Sequence, residues 1–411
     1  MTIRDEADKI AGELTELRHA IHQEPEIGYD LPATQRKVLA ALDGLPLEIT
    51  PGRQLSSVTA VLRGGRPGPT VLLRGDMDAL PVHEATGLPW ASRTAGAMHA
   101  CGHDLHTTML AGAARLLSAQ RADIPGNVIF MFQPAEEGGG GARIMIDEGV
   151  LGAAGEPPVA AYALHVFSGM YDAGVFAARP GPALAAMDAI DVTVHGRGGH
   201  GSAPHQAMDP IPAACEMVTA LHAMVTRKFN VFDPVVVTVG SFHAGTVRNV
   251  IPDDATFYVT ARSFSHESRQ RLRDETVRLV TNIAQAHGLT ADVDFAGGYP
   301  VTVNDPAEAA FATATAAGLF GADRAVTPPE PLAGSEDFSY VLNEVPGAFV
   351  LLGACPPGTD PQTAPSNHSA TAAFTDDVLP DGATLYAELA LRRLAAERVP
   401  AIDTHSRPSW G

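Results

Sequence analysis

Near the start of the chain, apolar Leu14, Leu17 and Ile21 recur at helical spacing in a charged background, so residues 3–21 read as an amphipathic helix. Short β-branched runs follow at 57–62 and 70–73, the second ending in Arg74-Gly75-Asp76-Met77-Asp78. An Ala- and Leu-rich helical stretch at 107–120 precedes a run of strand length at 127–132, apolar throughout after Asn127. Strands alternating with helices in this way predict a mostly parallel α/β layer structure. From about 188 to 295 the rhythm changes to strand 189–195, helix 210–228, strand 235–242, strand 255–262, helix 266–287 and strand 289–295. That β-α-β-β-α-β order is the ferredoxin-like split arrangement. The expected organisation is a discontinuous α/β domain, 1–186 and 297–411, interrupted by a ferredoxin-like domain at 187–296.

Length agrees with two domains, since 411 residues exceed what one hydrophobic core usually serves. Apolar residues at 45% and charged residues at 18% are ordinary for a globular enzyme. A formal net charge of −19 opposes binding to nucleic acid or to anionic membrane surfaces. No apolar run approaches the ~20 residues of a membrane helix, and residues 1–20 are charged where a signal peptide would be apolar. Three cysteines, Cys101, Cys215 and Cys355, make no disulfide framework, and a cytoplasmic home is expected.

Two local patterns carry chemistry. In His99-Ala100-Cys101-Gly102-His103-Asp104 a thiol and an imidazole two residues apart can face one metal ion, and the glycine lets the backbone bend around it. A buried structural cysteine beside surface histidines is the plain alternative. The second pattern, Gln133-Pro134-Ala135-Glu136-Glu137-Gly138-Gly139-Gly140-Gly141, follows the apolar strand directly. Adjacent glutamates point in different directions, so one can ligate metal while the other serves as general base. A solvated acidic turn is the competing reading there. Asp76 and Asp78 end a predicted strand, where α/β sheets place their sites; an aspartate there can ligate metal, hold a ligand histidine's second N–H, or simply cap a turn.

These segments together resemble the zinc-dependent aminoacylase and carboxypeptidase family. The match is closest to its amidohydrolase branch of hippurate hydrolases, indole-acetyl-amino-acid hydrolases and N-acetyl-diaminopimelate deacetylases. Further matching pieces are Arg18 to Glu26, Gly75 to Pro81, Gly198-Gly199-His200-Gly201-Ser202-Ala203-Pro204-His205, Asn249-Val250-Ile251-Pro252, Gly334-Ser335-Glu336-Asp337-Phe338 and Asn367-His368. The resemblance implies a catalytic domain holding two divalent ions, zinc or manganese with cobalt or nickel as alternatives, and an inserted lid and dimerisation domain. It implies Cys101, His103, Glu137, His165 and His368 as ligands, Glu136 as general base and acid, and Asp78 in the catalytic set. His200 would polarise the scissile carbonyl, in family dimers from the partner's side, while Asn249, Arg262 and backbone near Gly334 would hold the substrate. Two departures stand out: Glu24 where relatives commonly carry histidine, and Val166-Phe167-Ser168-Gly169 without the proline usual after His165.

The expected reaction is removal of an N-acyl group from an amino acid or a related amine-carboxylate by metal-activated water. Exopeptidase action on small peptides uses the same chemistry and stays open. A thiol hydrolase with Cys101 as nucleophile and His103 as base would leave Glu136 and Glu137 without a job. A non-catalytic ligand-binding protein would leave the whole donor set without one.

Overall fold

Apolar runs long enough to be covered on both faces build the centre of the larger sheet, as parallel strands require. In the computed structural model, which describes residues 2–396, the neighbours Pro125–Gln133, Arg66–Asp76, Ala160–Phe167 and Gly347–Gly353 run parallel, and nearly every residue in their central portions is buried. Leu47–Pro51 and Val58–Arg63 extend this sheet antiparallel at one edge, and the two-residue strands Phe176–Ala177 and Ala325–Val326 finish the other, giving eight strands. The expected strands at 70–73 and 127–132 fall within these elements, and 57–62 overlaps Val58–Arg63 with Ser57 just outside it.

The chain divides into two compact units. The first contains this sheet and, among the described residues, spans 2–178, 304–328 and 341–396. Helices His103–Ala119 and Leu379–Ala396 pack together over its parallel strands. They approach closely: a Cβ on Gly382 would stand 2.0 Å from the Met109 sulfur. The carboxyl ends of the parallel strands lead into Asp76–Asp78, Gln133–Glu137 and His165–Phe167, so the candidate chemistry sits where such sheets carry it.

Two helices of the first unit differ from expectation. The helix read at 3–21 is two helices, Ile3–Lys9 and Ala11–His22, broken where the Ile10 N–H turns back to the Ala7 and Asp8 carbonyls. The helix read from 107 begins at His103 instead. Gly102 supplies its left-handed entry at φ 80°, and a Cβ there would meet Val166 at 2.3 Å.

The second unit spans 179–303 and 329–340. Its four strands lie in the order Val235–Ala244, Asp254–Ser263, Ala186–His195, Thr290–Tyr299, every pair antiparallel. Helices Pro210–Lys228 and His266–Ala286 supply the crossings, so the connectivity is the β-α-β-β-α-β read from the sequence. Alternate residues such as Ile190, Val192, Val194, Phe257 and Val259 pack under the helices with Met217, Leu221 and Leu272. Residues 329–340, which carry Gly334, join this unit because Leu332 exchanges backbone hydrogen bonds with Ala183 and Ala185. Among the described residues no helix is long and apolar enough to cross a membrane.

A buried polar network ties the amino-terminal helix to the sheet's working end. Arg18 donates to Asp104 (2.7 Å) and to Asp376 (2.9 Å), and His22 lies 2.8 Å from Asp104 and 3.3 Å from Glu84. Burial opposes charge on His22, but the Asp104 carboxylate outweighs it and the imidazole is pushed up to about 9. A folded value above the ordinary 6.5 means stability that is fully present below that pH and lost as pH rises through about 9. The stability gap between the wild type and H22Q, from urea unfolding between pH 6 and 10, is therefore expected to shrink with rising pH. A gap constant across that range would remove the charge from His22.

Candidate metal centre

Three chain segments converge on Cys101. Its sulfur lies 3.5 Å from His165 Nε2 and 3.3 Å from His368 Nε2, and His368 Nε2 lies 3.2 Å from a Glu137 oxygen. Donor atoms of Cys101, His103 and His165 form one compact group, those of Cys101, Glu137 and His368 another, and those of His103, Glu136 and Glu137 a third; within each the atoms lie within 4.8 Å of one another. The thiol is common to the first two.

Surrounding groups set the orientation of each donor. Asp78 is buried and accepts the backbone N–H of Glu136 at one oxygen and that of Glu137 at the other, both at 3.0 Å, and His103 Nδ1 lies 3.5 Å from it. One carboxylate thus fixes the turn that presents both glutamates. His165 Nδ1 faces the Val166 carbonyl at 3.0 Å; a carbonyl only accepts, so the proton is on Nδ1 and Nε2 keeps its lone pair toward Cys101. His106 is fixed in the same manner. The Val166 N–H donates to its Nε2 (2.7 Å), so its Nδ1 proton goes to Asp76 (2.6 Å). Asp76 is further paired with Arg74 at 2.5 Å, which gives that carboxylate a structural place behind the cluster.

Backbone strain gathers here too. Ala135, Met170 and His368 are the described non-glycine residues with positive φ, at 60°, 71° and 70°. Such conformations cost about 1–3 kcal/mol each and persist where the surroundings over-determine them. Two of the three set the direction of a candidate residue: Ala135 precedes Glu136, and His368 belongs to the cluster itself.

The donor set fits divalent metal. Neither ring nitrogen of His103 makes a well-formed hydrogen bond although both are buried; coordination at Nε2 would relieve one, with Nδ1 facing Asp78 at 3.5 Å. Hydrogen bonding to Cys101 and Glu137 holds His368 up to about 10, a sign of concentrated negative charge that a cation would neutralise. Burial, aided by His106, keeps His165 well below its ordinary range and so neutral, the form that ligates. Sulfur, imidazole and carboxylate together suit a borderline ion.

The remaining expected site residues, His200, Asn249, Arg262 and Gly334, lie in the second unit. Strand pairing of Val250 with His200 brings Asn249 beside the His200 turn, where its carbonyl accepts the Gly201 N–H at 2.9 Å. His200 Nδ1 accepts the Ser202 N–H (3.1 Å), which leaves the ring proton on Nε2 as a free donor. Arg262 is half-buried on the strand Asp254–Ser263 with Nη1 unpartnered, and burial lowers its pKa. Gly334 has only the Leu184 side chain near its Cβ position. Sequence reasoning missed His106 and Asn367; a second histidine one turn after His103 was the available signal for the first.

Comparison with known proteins shows the family. Residues 72–392 match the model of Peptidase family M20/M25/M40, and the chain belongs to that family. It is a metal-dependent amidohydrolase. It is 37% identical over 394 residues to Thermostable carboxypeptidase 2 of Saccharolobus solfataricus, covering 95% of this chain and 98% of that one. It is 34% identical over 394 residues to the Hippurate hydrolase of Campylobacter jejuni, covering 96% and 100%. A solved dinuclear metal-binding M20 peptidase from Bacillus subtilis superposes with a TM-score of 0.80 at 30% identity, covering 94% of this chain and 99% of that one.

Proposed function

We propose that the protein removes an N-acyl group, acetyl, benzoyl or longer, from an amino acid or related amine-carboxylate, using two divalent ions held by Cys101, His103, Glu137, His165 and His368. The observation that carries this reading is the pair of donor triads sharing the Cys101 sulfur, with Glu136 grouped beside His103 and Glu137. When bound, such ions would supply Lewis acidity toward water and the acyl carbonyl. Zinc or manganese suits the donors best.

Glu136 takes the proton of the attacking water and returns it to the leaving amine nitrogen. Asp78, by holding both glutamate N–H groups, keeps that carboxylate aimed. His200 Nε2–H is the proposed donor to the developing oxyanion, worth about 3–4 kcal/mol by comparison with known oxyanion holes. Arg262, Asn249 and backbone near Gly334 are proposed to hold the substrate's carboxylate end. The 187–296 region is proposed as a lid and as the interface of a homodimer. Its edge strand Val235–Ala244 has no strand on its outer side among the described residues and exposes Val236 and Phe242. A cytoplasmic location completes the reading.

The test is a hydrolysis screen over N-acetyl, N-benzoyl and longer-acyl amino acids across added metals, with sedimentation of the same preparation. Cleavage of at least one class, loss with chelator, recovery with metal and a dimer mass are expected. Turnover that survives full metal removal would instead favour a thiol mechanism. The 37% identity to a carboxypeptidase supports a second reading, exopeptidase action, and small peptides belong in the panel to decide it.

A further inference from the structure

The mechanism above makes no use of Asn367, yet its carboxamide touches the segments that carry three of the proposed ligands. Nδ2 donates to the Val166 carbonyl at 2.9 Å and lies 3.4 Å from the Cys101 carbonyl and 3.7 Å from the Cys101 sulfur. Oδ1 accepts the Ser168 backbone N–H at 3.0 Å. The reverse amide orientation is excluded, because it would set N–H against N–H and carbonyl against carbonyl. The Val166 carbonyl also takes the His165 Nδ1 proton, so one oxygen aligns both side chains.

Ser168 is buried and completes the arrangement, its hydroxyl lying 2.7 Å from the Pro365 carbonyl just ahead of Asn367. A proline at position 168 would have no N–H to give, so the contact needs a residue such as Ser168 there. The next residue, His368, keeps its positive φ while its N–H donates to the Ala100 carbonyl at 2.9 Å. Asn367 and Ala100 thus both hold the amino side of a strained residue.

We propose that Asn367 is a positioning residue of the metal centre: clamped by Ser168, its carboxamide holds His368 in the left-handed conformation and directs an N–H at the Cys101 sulfur. This rests on reading Cys101, His165 and His368 as ligands. Groups one step removed from the metal orient the ligands and tune their donation, and their loss typically costs 10–100-fold in affinity. Aspartate at 367 has nearly the same size and keeps an acceptor for the Ser168 N–H, but it loses the donor toward Val166 and Cys101 and adds negative charge beside both.

The experiment titrates the metal-free full chain, wild type, N367D and N367A, with Co(II). The readouts are the near-ultraviolet thiolate-to-cobalt band and the visible ligand-field bands. Both variants are expected to bind about 10–100-fold more weakly and to shift the thiolate band, with unchanged circular dichroism before metal is added. Wild-type affinity and an unshifted band in both variants would overturn the clamp alone. A wild-type titration with no thiolate band would overturn Cys101 as a ligand, and the clamp with it.

Discussion

The variant E136Q is expected to keep its full metal content and to lose about 10²–10⁴-fold in kcat, the usual worth of a positioned general acid–base group. Glutamine has the shape of glutamate, and the Asp78 contact that aims residue 136 is made by its backbone N–H, which the substitution leaves in place. Only the capacity to take a proton from water and return it to the amine is lost. Metal analysis beside steady-state kinetics on the best acyl substrate checks both halves. A kcat within a few-fold of wild type would remove Glu136 from the reaction. Loss of metal along with activity would make it a ligand instead.

R18M is expected to lose about 3–5 kcal/mol of stability, the cost of breaking a buried ion pair and leaving one charge uncompensated. Arg18 is fully buried, and its partners Asp104 and Asp376 come from positions 86 and 358 residues away. Burial raises the cost of ionised Asp104, yet Arg18 and His22 together hold it far below the usual carboxylate range. Removing the guanidinium leaves that buried charge with His22 as its nearby cationic partner and takes away its bidentate-capable one. R18M/D104N is expected to lose less than R18M alone, because no carboxylate is then left buried and unpaired. Urea unfolding of both variants measures this, and an R18M loss below 1 kcal/mol would contradict it.

Legibility in the sequence followed locality. The strand at 127–132 was readable because an apolar run covered on both faces has no polar phase to confuse it. The helices at 210–228 and 266–287 were readable because one stripe faces a sheet and the rest faces water. The start of the helix at His103 was not readable: His103, Asp104 and His106 look like a polar loop, and only partners such as Arg18, Asp76 and Val166 make them a buried first turn. Arg18 itself looked like solvent-facing charge for the same reason.

The candidate centre divides along the same line. Cys101 with His103, and Glu136 with Glu137, are short-range patterns whose chemistry shows in their spacing. His165 and His368 have no local signal and were reached through family resemblance alone. Asn367 entered only as part of the Asn367-His368 match and without a role, because its meaning lies in bonds to Val166, Ser168 and Cys101, about 200 and 266 positions distant.

The first unit's assembly from three stretches of chain has a consequence for biosynthesis. Leu379–Ala396 packs on His103–Ala119, and the Tyr386 hydroxyl bridges the Arg74 carbonyl and the Leu164 N–H. A ribosome must therefore synthesise and release the chain through about residue 396 before that core can close, and through His368 before that side chain can reach Cys101. Most of the second unit, by contrast, emerges as one uninterrupted stretch, 179–303, and is free to fold while synthesis continues. The nascent chain holds its early strands open until Leu379–Ala396 arrives, and for that interval their apolar faces are the ones in need of a chaperone.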